Sequence, residues 1–424
     1  IRQDKEPLSF AYAASYGTQL TELPSYMATI RLMPTLLKPP HSEKTQASFL
    51  LSAATVFALL AATCCVSAQG VSAQTDAAVR INQIQIIGTH NSYHSGFAPS
   101  AAKIWQQQNP KVFAALEYRH PSLTAQLDGG VRQMELDIFA DTKGGLYAHP
   151  YGEALIARAG LPPDAPFDPQ HLMEKPGFKV MHVQDVDYRS NCQPFTACLA
   201  EVRAWSNAHP RHLPIFLLIE TKEGALPVKF PTVTPEPFTP AVFDALDREI
   251  SSVFPADELV TPDDVRGSYR TLNQAVLARQ WPTLQQARGK VVFLMDQQQV
   301  GPLYLKGHPS LRGRILFTNA RPGTPDAAFI EQNDASAPVI NALVGQGYLI
   351  RTRSDSDTVQ ARNNDTTRRD AVLTSGAQII STDYPASEPA ATGYKVELPG
   401  NAVARCNPVL KPANCSDAAL ARDQ

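Results

Sequence analysis

The sequence predicts an α/β fold and, within that class, a (β/α)8 barrel of the TIM type. Three observations carry the expectation. Eight short runs rich in β-branched and aromatic residues recur after residue 80. Amphipathic stretches separate several of them, the alternation that builds a parallel sheet. Eight strands are also the number that closes such a barrel. The alternative is an open, doubly wound sheet, but no Gly-x-Gly-x-x-Gly turn follows the first strand to supply a dinucleotide site.

The first predicted strand, QIQIIG at 83–88, buries Ile84, Ile86 and Ile87 and stops at Gly88, a residue suited to a sharp turn. The turn delivers His90 and Asn91. The second, QMELDI at 133–138, has Glu135 and Asp137 on one face and Met134, Leu136 and Ile138 on the other. In a barrel that alternation aims both carboxylates inward. The third, FKVMHVQ at 178–184, carries His182, and the fourth, PIFLLIE at 214–220, ends on Glu220. The remaining four are KVVFLM at 290–295, RILFT at 314–318, GYLIRT at 347–352 and AQIIS at 377–381. Helices are expected over 195–208, 240–253 and 338–346. The proline-rich stretch 224–240 reads as a surface loop.

Composition narrows the function. In 424 residues, 43% hydrophobic and 18% charged, a sizeable core is expected rather than disorder. A net charge of −2, with no long basic stripe, argues against nucleic-acid binding. Residues 1–73 read as a leader. From Met33 it has a basic start at Lys38 and Lys44, the apolar run SFLLSAATVFALLAATCC, and small-residue cleavage sites ending at Ala68 and Ala73. A cleaved secretory signal is the preferred reading, with a retained anchor as the alternative. Of six cysteines, Cys64 and Cys65 leave with that signal. The other four permit three pairings, and closure of short loops favours Cys192 with Cys198 and Cys406 with Cys415. The expected organisation is thus a leader, a barrel over 80–385 and a stapled tail over 386–424.

The chemistry lies at the strand ends. Asn91, Glu135, Asp137 and Glu220 form an all-oxygen ligand set, which suits calcium first and magnesium second. Crowded carboxylates without a cation repel one another, and a divalent ion relieves that. Two histidines beside such an ion form an acid–base pair titrating near neutrality. Each part has a plainer reading. A lone Glu-x-Asp is more often a solvated edge, and any one of the ten histidines is more often packed or exposed than catalytic. The conjunction of four strands in order argues for a site.

GTHNSY, MELDIFAD, FKVMHVQDVDYRS, IFLLIETK and the stretch 352–384 resemble the calcium-dependent, phosphoinositide-specific phospholipase C family of secreted phosphodiesterases. The resemblance covers about residues 80–385 and implies a PLC-like phosphodiesterase barrel. It implies His90 as general base, Asn91, Glu135, Asp137 and Glu220 as calcium ligands, and a second histidine as general acid. ELDIFADTKGGLYAHP is also similar to the glycerophosphodiester phosphodiesterase pattern, which would nominate His149; His182 is preferred. Asp185 or Asp187 would orient an imidazole or cap a turn. The implied reaction is attack of the inositol 2-hydroxyl on phosphorus, giving diacylglycerol and a cyclic inositol phosphate. The rivals are a glycerophosphodiester or sphingomyelin-type phosphodiesterase, and a non-catalytic lipid- or sugar-binding barrel. The expected partner is a phospholipid at a membrane surface, with no protein partner implied. Arg132, Lys222, Arg351 and Arg353 are candidate phosphate holders, and Trp105, Tyr151 and Phe195 candidate lipid contacts.

Overall fold

Nine strands form one sheet in the computed structural model, which describes residues 73–420 apart from Lys229 and Ala335. The predicted leader lies outside those residues, except for its last. The strands are β1 (Ile84–Thr89), β2 (Gln133–Phe139), β3 (Lys179–Val180), β4 (Ile215–Thr221), β5 (Val291–Met295), β6 (Phe329–Glu331), β7 (Leu349–Arg353), β8 (Ile379–Thr382) and β9 (Ala404–Cys406). Seven of them run parallel in the order β5-β4-β2-β1-β8-β7-β6 and curl into a nearly closed barrel. Single bridges, Leu294 to Phe317 and Asn319 to Phe329, span the remaining gap between β5 and β6. The barrel strands are buried along almost their whole length, as expected of parallel strands covered on both faces.

The covering helices follow their sequence pattern. Phe195–Ala208 buries Phe195, Cys198, Leu199, Val202 and Trp205, one face at a period of three and four. Pro240–Val253 begins with Thr239 Oγ1 accepting from Val242 N at 3.3 Å and Pro240 in its first turn. It buries Phe243, Leu246 and Ile250, each contributing roughly 1.5–3 kcal/mol by leaving water. Ala337–Gln346 stops at Gly347, whose φ of 107° suits glycine.

Three strand expectations change. The run 178–184 supplies only two strand residues, paired antiparallel to β2 and off the barrel path, because the chain turns back at Val183–Asp187. The run 314–318 contributes a bridge rather than a strand. A stave over Phe329–Glu331, too short to show periodicity, goes unpredicted. Gly88 is not the turn either: β1 continues through Thr89, and the chain reverses at Asn91, whose φ is 45°. Glycine is needed at 88 because a Cβ there would stand 2.1 Å from Gln133 Oε1 on the neighbouring strand.

Both expected disulfides are present, with Cα separations of 5.2 Å for Cys192–Cys198 and 5.8 Å for Cys406–Cys415. The second fastens β9, which pairs antiparallel with the first half of β1. Trp105 and Phe195 are buried in the core and so are not lipid contacts. Tyr151 stays partly exposed and stacks on Phe230, with ring centroids 4.9 Å apart. Arg132 precedes β2 at the amino-terminal end of the barrel, donates to the carbonyls of Leu127 and Val131, and lies over Trp205. It is a structural cation and not a phosphate holder.

Candidate active site

The site gathers at the carboxyl ends of the parallel strands, where side chains from successive strands converge. Asp137 and Glu220 are direct register partners on β2 and β4, and Glu135 lies one inward-facing position earlier on β2. Adjacent strands are about 4.8 Å apart, so this register alone forces the two carboxylates together. Oxygens of Glu135, Asp137 and Glu220 all fall within 4.8 Å of one another. Burial, then the charge of Glu220, pushes the Asp137 carboxyl well above its usual range. Burial lifts Glu135 to about 7 against the opposing pull of Arg351. Burial pushes Glu220 up, but the charge and hydrogen bond of Lys222, with the charges of His182 and His90, hold it below its usual value.

Asn91 sits on the turn after β1. Ser92 fastens that turn to β2: its backbone N–H donates to Glu135 O at 3.0 Å, and its Oγ accepts from Glu135 N at 2.8 Å. The Asn91 amide donates from Nδ2 to Tyr118 Oη at 2.7 Å, and its Oδ1 accepts from Tyr93 Oη at 3.2 Å. Burial and the nearby Asp137 charge raise the Tyr93 phenol. The donors are uniformly hard oxygens, three of them carboxylates crowded together, with Glu135 and Asp137 buried and Glu220 partly exposed. They fit a calcium-type ion and not a thiolate- or imidazole-seeking metal.

Two histidine–aspartate pairs flank the cluster. His90 Nδ1 lies 2.8 Å from Asp383 Oδ1, so the ring donates its Nδ1 proton to that carboxylate in a hydrogen bond and Nε2 is left as the basic nitrogen. Nε2 stands 3.7 Å from Glu135 Oε1. Burial, then the charges of Arg353 and Arg351, holds His90 well below its ordinary value. His182 follows β3 in the tight turn and donates from Nδ1 to Asp187 Oδ2 at 3.0 Å. Burial also lowers His182, although the hydrogen bond and charge of Asp187 oppose it. Both environments favour the neutral imidazole, the one at His90 more strongly. Both histidines act electrostatically on Glu220.

The aspartates divide their work. Asp187 Oδ2 also accepts from His94 Nε2 at 2.8 Å. Burial opposes charging His94, yet the charge and hydrogen bond of Asp187 prevail and raise it. Asp185, in the left-handed region at φ 65°, instead accepts from the backbone N–H groups of Tyr151 and Val233 and holds the loop. His149 is exposed on the loop after β2 and belongs to neither pair.

Three of the four candidate phosphate holders reach the site. Arg351 pairs with Glu135 and Glu331 and donates to Asn333 Oδ1 at 2.8 Å and Ser381 Oγ at 3.1 Å. Arg353 lies 3.2 Å from Asp383 Oδ2. Lys222 Nζ lies 2.9 Å from Asp137 Oδ2 and 2.7 Å from Glu220 Oε1. Sequence reasoning passed over Asp383 and His94. Asp383 stands two residues beyond the predicted strand 377–381, so the strand-end rule used for Glu220 would have found it. Nothing in the sequence marks His94 as a partner of Asp187, 93 residues away.

Glu135, Asp137 and Glu220 are grouped closely enough to hold a metal ion at the carboxyl end of the parallel barrel, beside two histidine–aspartate pairs. The model of the family described as phosphoinositide phospholipase C, Ca2+-dependent, matches residues 79–408, and the chain belongs to that family of phosphodiesterases. The chain is similar to the solved calcium-dependent phosphoinositol-specific phospholipase C of Pseudomonas sp. in its apo form, at 17% identity and a TM-score of 0.47, over 77% of this chain and 95% of that one. It is also similar to the Ca2+-dependent phosphatidylinositol-specific phospholipase C of Streptomyces antibioticus, at 19% identity and a TM-score of 0.44, over 72% and 95%. No curated protein matches the chain.

Proposed function

We propose that the protein is an extracytoplasmic phospholipase C that cleaves phosphatidylinositol by intramolecular transfer to the inositol 2-hydroxyl. His90 Nε2 takes the hydroxyl proton; Asp383 keeps the ring in the required tautomer. The 2-oxygen forms its bond to phosphorus as the bond to the diacylglycerol oxygen breaks. His182, held by Asp187, gives its proton to that leaving oxygen. Diacylglycerol and a cyclic inositol phosphate result, and proton transfer between the two histidines resets the site. Because the nucleophile belongs to the substrate, the barrel has only to orient it. Asn91, Glu135, Asp137 and Glu220 would hold calcium. That ion supplies positive charge, which lowers the hydroxyl pKa and offsets charge building on the phosphoryl oxygens. Arg351 and Arg353 add fixed cationic charge beside His90.

The observation that carries this reading is the placement of two separately tuned histidine–aspartate pairs around one carboxylate cluster. Disulfides at Cys192–Cys198 and Cys406–Cys415 support an oxidising compartment. Among the described residues no helix is long and apolar enough to cross a membrane, and the substrate is met at a lipid surface.

The test is hydrolysis of phosphatidylinositol vesicles with and without a calcium chelator, with products resolved by phosphorus NMR. A cyclic inositol phosphate that vanishes with chelation, and with His90→Ala in a folded protein, is expected. Release of glycerol phosphate instead would move the assignment to the glycerophosphodiester class.

A further inference from the structure

Every carboxylate of the cation seat already has a cation from the protein, and the two cations differ in kind. Arg351 is buried, its side chain 2% exposed, and four partners hold it: Glu135, Glu331, Asn333 and Ser381. Its planar fork cannot leave without stranding charge in the core. Lys222 bridges Asp137 and Glu220 from a flexible four-carbon stem, and its side chain is 19% exposed. Its backbone is fixed, because its N–H donates to Ile138 O at 2.9 Å across the β4–β2 pair. Only the side chain has to move. Glu220, its second partner, is 23% exposed, so the route for the ammonium leads out through the barrel mouth and not through the core.

A calcium ion held by Glu135, Asp137 and Glu220 needs the same oxygens that Lys222 engages, at 2.3–2.6 Å. A dication and an ammonium crowded on two carboxylates repel each other. From this geometry we propose that Lys222 is an internal counter-ion of the metal seat, expelled toward the mouth as calcium enters, so that calcium affinity is set by competition with it. The inference rests on the calcium reading above. It assigns Lys222 a positioning role: it keeps the metal-free carboxylates gathered and delays loading until calcium is abundant. Once expelled, the ammonium stands where an anionic headgroup arrives.

The test compares the wild-type protein with Lys222→Met by calorimetric calcium titration in chelator-cleared buffer, together with thermal unfolding. Without the competing ammonium, the variant should bind calcium roughly tenfold more tightly. Its calcium-free unfolding midpoint should fall, and calcium should raise that midpoint further than it does in the wild type. Equal or weaker binding by a folded variant overturns the proposal and leaves the calcium reading intact. Absence of calcium binding in both proteins overturns both. A measurement on the wild type guards against a variant that does not fold. Lys222 should resist an amine-acetylating reagent in chelator and become labelled with calcium, as read by peptide mass spectrometry. Labelling that calcium does not change would also overturn it.

Discussion

Replacing Asp187 with Asn isolates the contribution of one buried charge to the proposed acid. The side chain keeps its size and an oxygen where Oδ2 accepts from His182 at 3.0 Å and His94 at 2.8 Å. What disappears is the negative charge. Burial lowers His182, and Asp187 is the group that opposes this; removing it drives the ring further toward its neutral form. A hydrogen bond to a charged partner is worth about 1.5–3 kcal/mol. Losing that assistance at the protonated imidazole should cut kcat by about 10–150-fold. KM should change little, because Asp187 is buried behind the imidazoles it holds. The acid must be protonated to act, and its pKa falls, so activity should fail at a lower pH on the alkaline side. Steady-state cyclisation rates from pH 5 to 9, with urea unfolding to establish the fold, would measure both. A kcat within twofold of wild type, with an unmoved alkaline limb, would refute the assignment of His182 as acid.

Other consequences are independent of that site assignment. Gly88→Ala places a methyl 2.1 Å from Gln133 Oε1 between β1 and β2; a loss of about 1–3 kcal/mol from overpacking is expected in urea unfolding. Cys406→Ser opens the nine-residue staple on β9, and about 2–3 kcal/mol should be lost under non-reducing conditions but little in reductant. His212 is buried: Nδ1 donates to Leu213 O at 2.6 Å, and Nε2 accepts from Ser206 Oγ at 2.7 Å. Burial lowers it to about 4. Its stabilising effect is complete above pH 6.5 and lost as pH falls toward 4, on the order of 3 kcal/mol. The difference in unfolding free energy between pH 7.5 and 4.5 should shrink in His212→Phe if that variant folds.

The elements that could be read from the chain were those whose signal is local. Glu135 and Asp137 alternate with Met134, Leu136 and Ile138, so their common face follows from a period of two whatever packs around it. The helix Pro240–Val253 announces itself through Thr239, Pro240 and the spacing of Phe243, Leu246 and Ile250. The short loops closed by the two disulfides were equally visible. The run FKVMHV carried the same alternation as a stave and yet forms only a two-residue strand, antiparallel to β2 and off the barrel path. Its length and pattern hold no information about the reversal at Val183–Asp187, because that turn is also tied to distant residues: Asp185 accepts from the backbone of Tyr151 and Val233, and Asp187 from His94.

Residue type and strand-end position belong to the sequence: the imidazoles, the carboxylates and the amide were all in place before any fold was known. Which of them meet was decided by strand order. β1 lies between β2 and β8, so His90 receives Asp383 from 293 residues away, while the β2–β4 register sets Asp137 against Glu220. Charge compensation was decided there too, with Lys222 brought to Asp137 and Glu220 and Arg351 to Glu135. Side-chain periodicity propagates along a chain through covalent geometry. Electrostatic energy depends on distance through space, and only the closed sheet fixes those distances.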